Sequence, residues 1–261
     1  MSSLREVLDK VAKGRISAAE AEKILQLLVI EEVGCFAKLD NNRGLRKGIP
    51  EIVLAEGKTP DDVAEISKRM VAKCGRAIVS RCGKEHMATI RGALGASGVK
   101  LEINDKAKMV IIKNSDFSVE PSGGRIGILT AGTSDIPVAE EAKLIAQEMG
   151  CAVTSIYDVG VAGIHRLLEP LKKILAGDAD AIVVVAGREG ALASVVCGLV
   201  DVPVIAVPTS NSYGFGAKGV GTLMAMLQSC SLGLAVVNID SGVAAGAVSA
   251  LIANRAAKFR S

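Results

Sequence analysis

Between Arg125 and Asn254 the chain delivers five short apolar, β-branched runs into turns rich in Gly, Ser and Thr: RIGILTAGTSD, AVTSIYDVGVAG, AIVVVAGREGA, VPVIAVPTSNSYGFGAKG and LAVVNIDSGVAAG. Segments with helical spacing fill the intervals, so the repeated unit is strand, turn, helix. Runs of this kind suit strands buried on both faces, as a parallel sheet covered by helices requires. The spacing predicts strands over Ile126 to Thr130, Ala152 to Tyr157, Ala181 to Ala186, Pro203 to Val207 and Leu234 to Ile239. Helices are expected over Pro137 to Met149, Gly163 to Leu175, Ala191 to Val200, Lys218 to Gln228 and Ser241 to Lys258. Right-handed crossovers leave few topologies for such a series. We expect a flavodoxin-like three-layer α/β domain of strand order 2-1-3-4-5, a six-stranded variant being the alternative. Ligands of such sheets bind outside the carboxyl ends of the strands, which places the expected site.

Upstream, the signals change to those of a smaller α+β domain. Ser2 to Gly14 reads as a short amphipathic helix, and Ser17-x-x-Glu20 is a capping box opening a second. Thr59-Pro60-Asp61-Asp62 combines a cap, a proline at the first helical position and acids at the positive end of the dipole, so a helix is expected to Cys74. Ala77 to Arg81 reads as a strand, Glu85 to Leu94 as a helix, and VKLEI with MVIIK as a strand pair around Asn104-Asp105. Asn114 to Gly124 is polar and rich in Pro and Gly, which fits a linker. The expected domains are residues 1–118 and 119–261.

Composition narrows the class of function. Aromatics are 2% with no Trp, and net charge is +3 from 31 basic and 28 acidic residues, so neither base-stacking platforms nor a basic face point to nucleic acid. Six cysteines show no C-x-x-C pair and no zinc spacing, which reads as a reduced, cytoplasmic protein. No uninterrupted apolar run reaches the ~18 residues of a spanning helix, so no membrane partner is expected.

Three of the strand-end loops carry candidate chemistry. Thr133, Ser134 and Asp135 after the first strand offer hydroxyls, a carboxylate and amides at a helix start, an arrangement that binds anions or a ribose hydroxyl; Ser134 or Asp135 as a simple helix cap is the alternative. Gly187, Arg188 and Glu189 follow the third strand, where glycine permits close backbone approach and the carboxylate can act as a general base, or else as an acid in the first helical turn. Ser210, Asn211 and Ser212 follow the fourth strand in the longest polar loop of the domain. His165, the domain's single histidine, is a structural or catalytic candidate after the second strand.

These loops resemble the carboxylase and mutase that acts on aminoimidazole ribonucleotide. Two departures, Glu189 where that enzyme has histidine and an added N-terminal domain, fit a narrower family, LarB, the pyridinium-3,5-biscarboxylic acid mononucleotide synthases. LDNNRGLRKGIPEIVLAEGKTP, AGREGAL, PTSNSYGFG and LQSCSLGLAVVNIDSG all look like that family, so the resemblance covers nearly the whole chain. Family members usually carry histidines before the arginine of the first motif, where this chain has Asn41 and Asn42. The resemblance implies a carboxylase and hydrolase that uses CO2 or bicarbonate to carboxylate nicotinic acid adenine dinucleotide at the ring's 5-position, then releases AMP. It implies no tightly bound cofactor and allows Mg2+ for the hydrolysis; no metal ligands are identified. A ribonucleotide mutase and a non-catalytic nucleotide-sensing module are the competing readings.

Residue roles follow from the same resemblance. Arg43, Arg46 and Lys47 are read as a clamp for the adenylate half, with a solvated basic loop as the alternative. Glu189 takes the proton lost from the ring, and burial there would raise its pKa. Cys230 is the nucleophile, yet it lies between the helix after the fourth strand and the fifth strand, at the amino ends of its own sheet. Both hold if Cys230 is donated by a neighbouring subunit of a homo-oligomer, expected as an octamer packed through the small-residue faces of VGTLMAML and GVAAGAVSALIA.

Overall fold

The computed structural model describes residues 4–26, 31–33, 37–40, 43–95 and 98–260. It divides into two compact units, Met1–Ile103 with Val110–Phe117, and Asn104–Met109 with Ser118–Ser261.

In the first unit, α1 (Leu4–Ala12) and α2 (Ala18–Gln26) precede a two-stranded antiparallel hairpin of β1 (Glu31–Val33) and β2 (Ala37–Leu39). The capping box before α2 is formed: Glu20 N–H donates to Ser17 Oγ at 3.2 Å, and Ser17 N–H donates to the Glu20 carboxylate at 2.8 Å. After α3 (Arg43–Lys47) come β3 (Ile52–Leu54), α4 (Pro60–Cys74), β4 (Arg76–Ser80), α5 (Lys84–Leu94), β5 (Lys100–Asn104) and β6 (Met109–Lys113). Four of these strands form one sheet of order β3-β4-β6-β5, with β3 and β4 parallel and β4 and β6 antiparallel. Thr59 caps α4 by accepting from Asp62 N–H, and Gly75, at φ 74°, ends the helix in the left-handed conformation that glycine adopts without penalty. The core is aliphatic, with Ile66, Met70, Ile90 and Leu94 of the two helices buried on Val79 and Ile112 of the sheet. The short β1, β2, α3 and β3 were not expected from the sequence; at three to five residues each they are too brief to show a period.

The second unit follows the predicted alternation. Its strands are β7 (Arg125–Thr130), β8 (Ala152–Ile156), β9 (Ala181–Ala186), β10 (Val204–Pro208) and β11 (Leu234–Val236). Its helices are α6 (Ile136–Glu148), α7 (His165–Ala176), α8 (Ala191–Cys197), α9 (Val220–Leu227) and α10 (Gly242–Ala257). All pairings are parallel and the order is β11-β10-β9-β7-β8, the expected 2-1-3-4-5 arrangement. Central β9 is buried along its whole length, so its AIVVVA run is apolar on both faces. Ile182, Val184 and Ala186 meet Leu167 and Leu171 of α7, Val196 of α8 and Met226 of α9. The alternate residues Val183 and Val185 are fully buried outside that cluster, as two-sided cover demands. No described helix is long and apolar enough to cross a membrane.

The glycines of α10, expected to serve contacts between subunits, serve a contact within the chain. A Cβ on Gly242 would lie 2.2 Å from the Val138 carbonyl and one on Gly246 2.4 Å from the Ala142 carbonyl, so α10 rests backbone to backbone on α6. A paired substitution tests this packing. Gly246→Ala gains helix propensity of about 1 kcal/mol but overpacks this contact at a cost of about 1–3 kcal/mol. Calorimetry should show a lower Tm, whereas Gly92→Ala, at an exposed position of α5 with open space around it, should raise the Tm. A Gly246→Ala variant as stable as Gly92→Ala would contradict the close approach.

Candidate active site

A cleft of about 310 Å³ opens at the carboxyl ends of β7, β8, β9 and β10. Its floor is set by Asp135, which is 2% exposed although it carries a carboxylate. Gly132 N–H donates to one carboxylate oxygen at 2.9 Å and Thr209 Oγ1 to the other at 2.8 Å; the Gly187 amide and the Asn211 side chain also donate to it. One acid thus joins the turns after β7, β9 and β10. Burial pushes its carboxyl above the usual range, and those four donors oppose the shift. Close approach is built in at Gly187, where a Cβ would stand 2.8 Å from Thr209 Oγ1. The turn after β8 contributes through Gly160, Val161 and Ala162. A Cβ at Gly160 would fall 2.6 Å from the Ala131 carbonyl, so this wall also depends on glycine.

The β9 turn forms the opposite wall. Arg188 sits at φ 55°, a left-handed conformation uncommon for a residue with a side chain. Its guanidinium lies over the Tyr213 ring, 3.8 Å from the centroid, and hydrogen-bonds the Tyr213 hydroxyl. Glu189 lines the cleft, but it is exposed rather than buried. It also precedes Gly190, the cap of α8, so it is not an acid of the first helical turn.

Of the residues expected in the site, Ser134, Asp135, Gly187, Arg188, Glu189 and Asn211 line this cleft together. Asn211 Nδ2 donates to the Ser134 carbonyl at 2.7 Å, which ties the β10 loop across to the β7 turn. Thr133 is exposed and outside the lining, as is Ser210, whose amide donates to Asp240 at 2.9 Å. Ser212 is turned inward: its buried hydroxyl accepts from Arg188 N–H at 2.7 Å. Thr209, missed in the sequence, is the residue that holds Asp135; its signal was a threonine placed directly at the end of an apolar strand. His165 is exposed at the start of α7 and does not line the cleft.

Cys230 is exposed, unlike the buried Cys82, Cys151 and Cys197, and Cys74 is partly covered; Cys35 lies outside the described residues. Its turn is anchored at the other end of the sheet. Ser194 on α8 donates to Ser229 Oγ at 2.8 Å, Ser231 Oγ donates to the Ser194 carbonyl at 2.8 Å, and the Gly233 carbonyl accepts from Val204 N–H at the start of β10. The chain's own thiol is therefore not in its own cleft.

In the first unit, Arg43, Arg46 and Lys47 occupy α3. Arg43 pairs with Glu51 at 3.3 Å and Arg46 pairs with Asp40, so two of the three cations already hold carboxylates. Asn41 and Asn42 lie outside the described residues.

Comparison with known proteins divides the chain in the same way. Residues 30–114 match the LarB/PurE-like N-terminal domain model, and residues 125–260 match the AIR carboxylase model. An uncharacterized protein of Methanocaldococcus jannaschii is 46% identical over 254 residues, covering 96% of this chain and 97% of that protein. The chain is also similar in part to N5-carboxyaminoimidazole ribonucleotide mutases. The Pyrococcus horikoshii enzyme is 29% identical over 44% of this chain and 64% of its own length. That of Thermotoga maritima is 28% identical over 49% of this chain and 74% of its own. Two matched domains in this order, and a relative similar from end to end, place the chain in the LarB family of carboxylase-type enzymes, with a LarB/PurE-like N-terminal domain joined to an AIR carboxylase domain.

Proposed function

We propose that this carboxylase-type enzyme carboxylates the pyridinium ring of nicotinic acid adenine dinucleotide at its 5-position with CO2 or bicarbonate, then hydrolyses the phosphoanhydride to release AMP and pyridinium-3,5-biscarboxylic acid mononucleotide. The observation that carries the choice over the ribonucleotide mutase is the acid in the β9 turn. Glu189 lines the cleft, no histidine does, and the unit's histidine stands exposed on α7. A reaction that needs a histidine acid/base finds no such group among the described cleft residues.

The chemistry asked of the site is redox-neutral. A pyridinium C–H is a poor carbon acid, so a thiolate first adds to the ring, converting it to an enamine-like dihydropyridine whose 5-carbon attacks CO2. Glu189 accepts the proton from that carbon, and expulsion of the thiolate restores the aromatic ring. The net change is C–H plus CO2 giving C–CO2− plus H+. In this reading the amides of the β7 and β9 turns face the substrate's anionic groups, Asp135 shapes the floor, and Arg43, Arg46 and Lys47 are anion contacts once Glu51 and Asp40 release them. The thiolate is Cys230 of another copy in a homo-oligomer, an octamer in this reading. Consistent with that arrangement, Val220, Met224 and Leu227 form an exposed apolar stripe on α9, and Leu232 is exposed beside Cys230. Among the described residues no group of three His, Cys, Asp or Glu side chains could hold a metal ion; any Mg2+ assisting the hydrolysis would be carried chiefly by the substrate's phosphates, as that ion usually is.

Incubation with nicotinic acid adenine dinucleotide and 13C-bicarbonate should give AMP and a mononucleotide carrying the labelled carboxylate, read by mass spectrometry. Turnover of carboxylated aminoimidazole ribonucleotide instead, or tight dinucleotide binding without AMP, would replace the proposal. Glu189→Gln should lower kcat for carboxylation by about 10²-fold, the scale of a lost general base, while dinucleotide affinity changes little. Replacing both Arg43 and Arg46 with Ala should raise the dinucleotide KM by about tenfold or more, given two charge-assisted contacts. Unchanged kinetics in either variant would remove that residue from its role.

A further inference from the structure

Two hydroxyls inside the second unit are spent on a single backbone residue. Arg188 N–H donates to Ser212 Oγ at 2.7 Å, and Thr222 Oγ1 donates to the Arg188 carbonyl. Ser212 Oγ and Thr222 Oγ1 are also 3.0 Å apart. A hydroxyl has one proton, and that of Thr222 is committed to the Arg188 carbonyl, so the proton between the two hydroxyls comes from Ser212. The three bonds therefore run in one direction around a closed ring: Arg188 amide to Ser212, Ser212 to Thr222, Thr222 to Arg188 carbonyl. Thr222 is fully buried and Ser212 is 7% exposed, so water does not compete for these partners.

The residue so enclosed is the one that needs holding. Arg188 adopts a positive φ without being glycine, and it immediately precedes Glu189 in the wall of the cleft. On its far side the turn meets α9 directly: a Cβ at Gly190 would lie 3.0 Å from Met226 and 3.1 Å from Thr222 Cγ2. We propose that Ser212 and Thr222 are positioning residues, a hydroxyl clasp that fixes the left-handed Arg188 turn and with it the place of Glu189. The clasp draws on β10's loop and on α9, so helix α9 sets the geometry of a turn 34 residues away in the chain. The catalytic part of this inference rests on the carboxylase reading above; the clasp itself does not.

The test therefore pairs an exchange measurement with kinetics on the full chain. Thr222→Val keeps the shape against Gly190 and removes both the donor to the Arg188 carbonyl and the acceptor for Ser212. Hydrogen exchange of the Arg188 amide, followed by mass spectrometry of the peptide that contains it, should accelerate by about tenfold, as the loss of one net hydrogen bond predicts. Carboxylation kcat should fall by a similar factor with KM within about twofold, the signature of a transition-state group displaced rather than substrate binding lost. Thr222→Ser, which keeps the hydroxyl and loses the methyl, should restore both readings. Ser212→Ala should behave as Thr222→Val does, and carries the prediction if the valine variant does not fold. Unchanged exchange in the valine and alanine variants overturns the clasp, as does a serine variant as impaired as valine. Accelerated exchange with unchanged kcat overturns its positioning role. A wild type that does not carboxylate the dinucleotide contradicts the carboxylase reading, and the exchange rates still decide the clasp.

Discussion

The site depends on one buried carboxylate. Asp135 gathers donors from the turns after β7, β9 and β10. A charge this sheltered is unfavourable unless its lone pairs are met, and here the satisfying groups are the turns themselves. The same contacts that keep the acid content also fix how far apart the three strand ends can spread. Glycine completes the constraint at Gly187, where the Thr209 hydroxyl leaves no room for a side chain.

From that floor the chemistry rises on two walls of different character. The β7 and β8 side is backbone and small residues, suited to a ligand that is planar or anionic and comes close to amides. On the β9 side stand a cation stacked on an aromatic ring and a free carboxylate, held on a turn in an uncommon conformation. Strain of this kind persists only where neighbours over-determine it, and the Ser212 and Thr222 hydroxyls do so here.

Much of this was legible in the residues, for reasons that differ by element. The inner strands β7, β9 and β10 announced themselves because two-sided burial demands apolar runs, and right-handed crossovers then left little freedom in the order of all five. Ser17, Glu20 and Thr59 were readable because caps act over three residues. Contacts that join distant segments were not. Thr222 sits in VGTLMAML, where its neighbours suggest only a packed small-residue face, and Ser212 in a polar loop looks solvent-directed until the fold brings Arg188 to it. Likewise Gly242 and Gly246 advertise close helix packing without saying that the partner is α6 of the same chain. Cys230 is the reverse case, since chain order alone put it at the amino ends of the strands, where its turn is anchored.

The proposed reaction turns on that placement, because with Cys230 as its nucleophile at one end of the sheet and the cleft at the other it would need two copies of the chain. The most direct measurement mixes two impaired variants, Cys230→Ala and Glu189→Gln, after dissociating and reassembling them together, and assays carboxylation of nicotinic acid adenine dinucleotide. Shared sites predict partial recovery of activity, since some clefts then receive the intact carboxylate of one parent and the intact thiol of the other. No recovery from reassembled mixtures, or full carboxylation by Cys230→Ala alone, would contradict it.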